Sequence, residues 1–118
     1  MANLNGFSKK QILEIYYKMS LSRALDKKML ILLKQGKSFF HMGASGHEAA
    51  QLAASLIIKP GKDWSYPYYR DGAYCLGLGM TSREQLLSFL SKADDPNSGG
   101  RQMPMHYGHK DLRIVSQS

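Results

Sequence analysis

Ser45-Gly46-His47-Glu48-Ala49-Ala50-Gln51-Leu52-Ala53-Ala54-Ser55-Leu56-Ile57-Ile58, closed by Lys59-Pro60-Gly61, is the stretch whose reading decides the fold class. Ser45 followed three residues later by Glu48 has the form of a capping box, which satisfies the first free N–H groups of a helix from both sides. Beyond it, Ala49, Ala50, Leu52, Ala53, Ala54, Leu56, Ile57 and Ile58 leave almost no polar face. A helix apolar on nearly all sides is a buried helix. The alanines would let neighbouring helices approach closely, and Pro60-Gly61 ends the segment. The spacing predicts a helix over 46–58 at the centre of a helical assembly.

Two further boxes flank it. Ser8 with Gln11 opens a helix over 8–35, whose apolar residues Ile12, Ile15, Tyr16, Met19, Leu21, Leu25, Met29, Leu32 and Leu33 recur at helical spacing. Its apolar face shifts around Ser20 to Ser22, which implies a bend or a change of packing partner. Gly36 supplies the stop. Thr81 with Glu84 opens a helix over 82–91 carrying Leu86, Leu87, Phe89 and Leu90. A short helix is expected over 70–78, ended by Gly79, and a short strand over Leu112 to Val115. The fold class is mainly α.

Residues 93–110 read as irregular, with a loop that carries chemistry. Gly99-Gly100-Arg101-Gln102-Met103-Pro104-Met105-His106-Tyr107-Gly108 has no regular apolar period. Its glycines and proline shape a turn-rich path, and ordered loops of this length are usually functional. Upstream, Pro67-Tyr68-Tyr69-Arg70-Asp71-Gly72 sets aromatic and basic side chains at a helix start, where backbone N–H groups and an arginine fork favour anions. The competing interpretation is structural: Trp64, Tyr66, Tyr68 and Tyr69 packing as an aromatic cluster, with Arg70 paired to an aspartate.

Composition narrows the function classes. Sixteen Lys and Arg against nine Asp and Glu give a net charge of +7. The lysines are scattered and no basic run exceeds two residues, which favours a solvated surface with one anion-binding element over a nucleic-acid partner. No apolar run approaches the roughly 20 residues needed to span a bilayer, so no membrane association is expected. Met1 to Gly6 has no charged region followed by a long apolar run, so no secretory signal is expected there. One cysteine, Cys75, excludes an intrachain disulfide and fits a reducing cytoplasm. His106 and His109 have a metal-compatible spacing, but the remaining ligands of a structural zinc site are missing. Hydrolase elbows, Walker loops and dinucleotide fingerprints are absent. No complete catalytic constellation can be assembled. The ending Ile114-Val115-Ser116-Gln117-Ser118 has neither a helix stop nor a polar tail, so residues 1–118 are read as one truncated helical fragment.

Three motifs in order resemble one family. Phe39-Phe40-His41-Met42-Gly43-Ala44-Ser45-Gly46-His47-Glu48-Ala49, then Tyr69-Arg70-Asp71-Gly72, then Gly100-Arg101-Gln102-Met103-Pro104-Met105-His106-Tyr107-Gly108 is similar to the N-terminal part of the alpha subunit of thiamine-diphosphate-dependent 2-oxo acid dehydrogenases. The last run resembles the branched-chain (2-oxoisovalerate) type more than the pyruvate type. Pyruvate or acetoin dehydrogenase remains the first alternative, and a basic helical binding module the second. The resemblance implies the helical N-terminal segment of a thiamine-diphosphate-binding α/β fold, cut before its parallel sheet. It implies oxidative decarboxylation of a branched-chain 2-oxo acid with acyl transfer to lipoamide, in a parent that holds thiamine diphosphate and Mg²⁺.

Residue by residue, Tyr69 and Arg70 match the pair that contacts the cofactor's diphosphate. His41 and Tyr68 match positions near the substrate. Ser118 falls at the start of a loop that holds potassium in branched-chain enzymes. The Gly-Asp-Gly…Asn motif that binds Mg²⁺ and the activating glutamate of the beta part are not in this chain. The resemblance therefore implies partners: a beta subunit or beta-like half, and a lipoyl-bearing acyltransferase core. Alone, the fragment is expected to be inactive, to bind no cofactor and to self-associate through its uncovered apolar surface.

Overall fold

A computed structural model describes residues 4–117 of the chain. The potassium assignment at Ser118 lies outside the described residues. Four helices and no strand occur among them: α1 (Lys9–Lys34), α2 (Glu48–Ser55), α3 (Gly72–Leu78) and α4 (Ser82–Phe89). The chain is mainly α.

Local sequence sets α1 and α4. Ser8 accepts from the Gln11 N–H at 3.1 Å, and the Gln11 side chain returns to the Ser8 N–H at 2.8 Å. Thr81 and Glu84 do the same at 3.1 and 2.8 Å. α1 runs without interruption, so its shifted apolar face marks a change of partner. Its buried residues are Ser22, Leu25, Asp26 and Met29, while Leu13, Tyr16 and Tyr17 nearer its start are exposed. α4 ends at Phe89, short of the expected 91, with Ser91 in a left-handed conformation (φ 51°).

The central helix differs from its expectation. α2 is Glu48–Ser55, with His47 as an N-cap that makes no side-chain cap bond. The Ser45 hydroxyl does not cap it; it donates to Asp26 Oδ2 at 3.0 Å. Nor is α2 buried all round. Leu52 and Ser55 face inward, while Ala49, Ala50, Ala53, Ala54, Leu56 and Ile57 are exposed. Composition misled here because alanine suits an exposed helical position as well as a core one. The helix stops early because the turn tightens after Ser55. The Leu56 N–H reaches both Leu52 O and Ala53 O, and Pro60 then bars the preceding residue from helical geometry.

α3 begins at Gly72 rather than at 70 and ends on Gly79, whose φ of 116° is open only to glycine. The strand expected over Leu112 to Val115 is not present. Ile114 makes two isolated bridges, parallel to Ser65 and antiparallel to His109.

The core collects Leu25 and Met29 of α1, Cys75, Leu76 and Leu78 of α3, Met80, Phe89 of α4, and Met105, Tyr107 and Ile114 from the long loop. Phe89 is fully buried and is the largest side chain so enclosed. The loop is ordered around Asp95, a buried carboxylate that accepts from the N–H groups of Asn97, Ser98 and Gly100 at 3.0–3.2 Å. Hence the 93–110 segment packs into the core and presents its polar residues on a fixed frame.

Candidate functional site

The site is built from one turn. Asp71 folds it: its Oδ2 accepts the Tyr68 N–H at 2.7 Å and its own N–H donates to Tyr68 O at 3.0 Å. The turn sends Tyr69 inward and Arg70 outward. Gly72 follows because a Cβ there would stand 2.9 Å from the Tyr107 hydroxyl, so the motif's glycine answers to space.

Tyr69 is half-buried in a small aromatic group. Its ring centroid lies 4.3 Å from Tyr68, 5.1 Å from His106 and 6.3 Å, edge-on, from Phe40. His106 Nδ1 faces the carbonyls of Met103 and Pro104 at 2.8 and 3.3 Å. Both are acceptors, so Nδ1 carries a proton. The long loop thus brings His106 beside Tyr69, a meeting that spacing along the chain could not reveal.

Arg70 is exposed, and its Nη1 donates to Gly43 O at 3.2 Å. Among the described residues it forms no ion pair. Asp71, the obvious partner, is occupied by Tyr68 N–H and by Gln51 Nε2 at 3.4 Å. Among the described residues Trp64 and Tyr66 do not join the aromatic group, and Tyr68 joins it through Tyr69. They project from an extended segment, 52–60 % exposed, with Trp64 beneath the Arg113 guanidinium at 5.1 Å. Among the described residues the ion-pair half of the structural alternative is therefore absent, and of the aromatic half the Tyr68–Tyr69 contact is present. Arg70 offers a forked cation, tethered at one nitrogen and open to an anion.

The helix start contributes less than its position suggests. The N–H groups of Ala73 and Tyr74 already donate to Gln51 Oε1 at 3.1 and 3.3 Å, and Gln51 Nε2 donates back to Arg70 O at 2.7 Å. Gln51 closes the α3 N-terminus and fastens the Arg70 turn to α2. Sequence reading missed it, because the bonded residues lie about 20 positions away. Gln51→Ala should cost about 1–3 kcal/mol, the penalty for unsatisfied backbone donors. Thermal melts of the two chains check this; an unchanged midpoint would mean that water replaces the amide.

His41 lies behind the site. Its side chain is 3 % exposed, packed edge-on against Phe89 at 5.9 Å, with Nε2 3.8 Å from Asp26 Oδ1. Among the described residues neither ring nitrogen has a hydrogen-bond partner. Burial holds its pKa below the ordinary value, against the pull of Asp26. Glu48 is also buried. Its Oε1 takes Arg23 Nε at 2.7 Å and its Oε2 takes the Gly46 N–H at 2.8 Å, which hold its carboxyl down at about 2.

Both shifts act with the same sign. An unfolded chain protonates His41 near 6.5 and Glu48 near 4.5, while the native chain resists both. Stability should therefore fall on acidification in two stages, the first beginning near pH 6.5 and the second between about 4.5 and 2. Melting midpoints from pH 8 to pH 3 test this, and His41→Gln should abolish the first stage alone. A flat midpoint from pH 7 to 5 in the parent chain would contradict it.

Among the described residues no group of three His, Cys, Asp or Glu could hold a metal ion, and no helix is long and apolar enough to cross a membrane. His109, the other half of the His-x-x-His spacing, is turned to Glu84 at 3.1 Å.

Comparison with known proteins fits this geometry. A family model described as the dehydrogenase E1 component matches residues 16–118. The 2-oxoisovalerate dehydrogenase subunit alpha of Bacillus subtilis is 42 % identical over 96 % of this chain and 34 % of its own length. A mitochondrial protein of the same name from Caenorhabditis elegans is 30 % identical over 96 % of this chain and 26 % of its own length. The pyruvate dehydrogenase E1 component subunit alpha of Mycoplasma genitalium is 34 % identical over 89 % of this chain and 28 % of its own length. The chain thus spans about a third or less of the relatives it matches.

Proposed function

The chain belongs to the dehydrogenase E1 component family, and on that premise we propose that it forms part of the alpha component of a 2-oxo acid dehydrogenase acting on branched-chain 2-oxo acids. The observation that carries this is the exposed Arg70 guanidinium, fixed beside Tyr69 and without a carboxylate partner among the described residues. Its donor set fits a diphosphate: a planar fork, one arm tethered to a carbonyl, the rest facing solvent. Thiamine diphosphate, when bound, supplies the carbanion chemistry of decarboxylation, and the protein supplies grip and orientation.

In this role Arg70 holds the diphosphate. Tyr69, packed between Tyr68, Phe40 and His106, gives that grip a rigid wall. Tyr68 is half-exposed and stands at the substrate side. His41 acts from behind the loop, since its ring is enclosed by Phe89 and Asp26. We assign the Mg²⁺ ligands to the part of an E1 alpha component that this chain does not span, and Ser118 to the start of a potassium loop. The activating glutamate falls to a beta subunit or beta-like half, and the acyl group passes to lipoamide on an acyltransferase core.

The branched-chain preference rests on the 42 % identity to the Bacillus subtilis subunit, against 34 % to the pyruvate-named one. Joined to a beta partner, the component containing this chain should release CO₂ from 3-methyl-2-oxobutanoate at least about tenfold more efficiently than from pyruvate. A pocket shaped for extra methyl groups discriminates by that much or more. A higher kcat/KM on pyruvate would transfer the assignment to the pyruvate type. The isolated chain should release none from either.

Leu13, Tyr16, Tyr17, Leu30 and Ile31 of α1, with Leu56 and Ile57 after α2, are exposed large apolar residues. We assign them to surfaces that an assembled component covers, since apolar patches of this kind mark interfaces. The isolated chain should therefore self-associate. A monodisperse monomer at high concentration in sedimentation would contradict this.

A further inference from the structure

Asp26 is out of place for a structural residue. It sits inside α1, 7 % exposed, beside the core residues Leu25 and Met29, and among the described residues no lysine or arginine pairs with it. A carboxylate in such surroundings is costly unless its oxygens are used. They are used on one loop. Oδ2 accepts the Ala44 N–H at 2.8 Å and the Ser45 hydroxyl at 3.0 Å, while Oδ1 faces His41. Glu48 pins the other end of the same loop through the Gly46 N–H at 2.8 Å. The loop so fixed presents two things to the functional turn: the Gly43 carbonyl to Arg70 Nη1 and the Phe40 ring edge to Tyr69.

We propose that Asp26 is the positioning residue for Arg70, acting through the backbone of residues 43–45 to hold the guanidinium in its anion-ready orientation. The proposal rests on the reading of Arg70 as the diphosphate grip. Arginine has many rotamers, and a fork held at one nitrogen loses fewer of them when the anion arrives. Asp26 removes that ordering cost before binding. Its effect on cofactor affinity has a diagnostic sign. By Coulomb's law alone, deleting a nearby negative charge should strengthen binding of an anion. If Asp26 positions Arg70, deletion weakens it.

The test begins without ligand. In this chain labelled with ¹⁵N, relaxation at Arg70 Nε reports the order of the guanidinium. Arg101 is the internal control, because its Nε donates to Ser98 O at 2.9 Å while the Asp26 hydrogen bonds go to Ala44 and Ser45. Asp26→Ala should lower the order of Arg70 and leave Arg101 unchanged. Asp26→Asn, which keeps one acceptor for the Ala44 N–H, should give an intermediate value. If the alanine chain fails to fold, both arginines lose order together and the asparagine chain decides. In the assembled component, Asp26→Ala should weaken thiamine diphosphate binding about two- to tenfold, the worth of one immobilised side chain. Unchanged Arg70 order in the folded variants, or equal loss at both arginines in Asp26→Asn, overturns the proposal. So does tighter cofactor binding. An Arg70→Ala component with unaltered cofactor affinity overturns the diphosphate reading instead, whatever the order of Arg70.

Discussion

Arg70→Ala in the assembled component should weaken thiamine diphosphate binding about ten- to a hundredfold. A hydrogen bond to a charged group is worth about 1.5–3 kcal/mol, and 1.4 kcal/mol is tenfold in affinity. The loss should be one of binding alone. Arg70 is exposed and among the described residues its side chain holds only the Gly43 carbonyl, so the variant's fold should be little changed. Arg70→Lys should recover part of the affinity, since an ammonium keeps the charge and loses the fork. Calorimetric titration beside melting curves separates the outcomes. Unaltered affinity with a lowered midpoint would make Arg70 a structural residue after all.

Phe89→Ala should have the largest effect on stability. Its ring is fully buried, meets His41 edge-on and anchors the end of α4 against α1, α3 and the long loop. Phe→Ala truncations in cores cost about 3–5 kcal/mol, a large share of the 5–15 kcal/mol typical of a whole domain. Ser38 Oγ donates to the Phe89 backbone carbonyl at 2.7 Å, a bond the variant keeps, but the ring that packs against His41 of the 38–46 loop is lost. Denaturant unfolding should show a drop of that size, and hydrogen exchange should rise across 38–46 as well as across α4. A cost below about 1 kcal/mol, with exchange unchanged in 38–46, would mean that the core refills around the gap without Phe89.

What was legible in the sequence follows from the range of each interaction. The boxes at Ser8/Gln11 and Thr81/Glu84 could be read because both partners lie within one turn. The same pattern at Ser45/Glu48 failed because two distant groups claimed its members: Asp26 took the Ser45 hydroxyl, and Arg23 with the Gly46 N–H took the Glu48 carboxylate. Pattern alone could not rank a competitor supplied by another helix. The apolar count of α2 misled for a related reason, since alanine does not announce which way it faces.

In the site, the sequence places Tyr69 and Arg70 at a helix start, while the fold puts them in a turn that Asp71 closes before α3 begins. The freedom of Arg70 was not legible. It depends on Asp71 being engaged by Tyr68 and Gln51, which only the fold decides. Gln51 and Asp26 escaped notice for the same reason, and so did the place of His106 beside Tyr69. Each acts on the Tyr69–Arg70 turn, or on the loop supporting it, from another part of the chain, and none carries a local signature.

The most direct measurement is a crystal structure of the assembled component with thiamine diphosphate bound. The expected result is the Arg70 guanidinium within hydrogen-bond distance of a diphosphate oxygen, with Tyr69 beside it and the Gly43 contact kept. A diphosphate bound away from Arg70, with that side chain still facing solvent, would contradict the assignment of this chain's central turn.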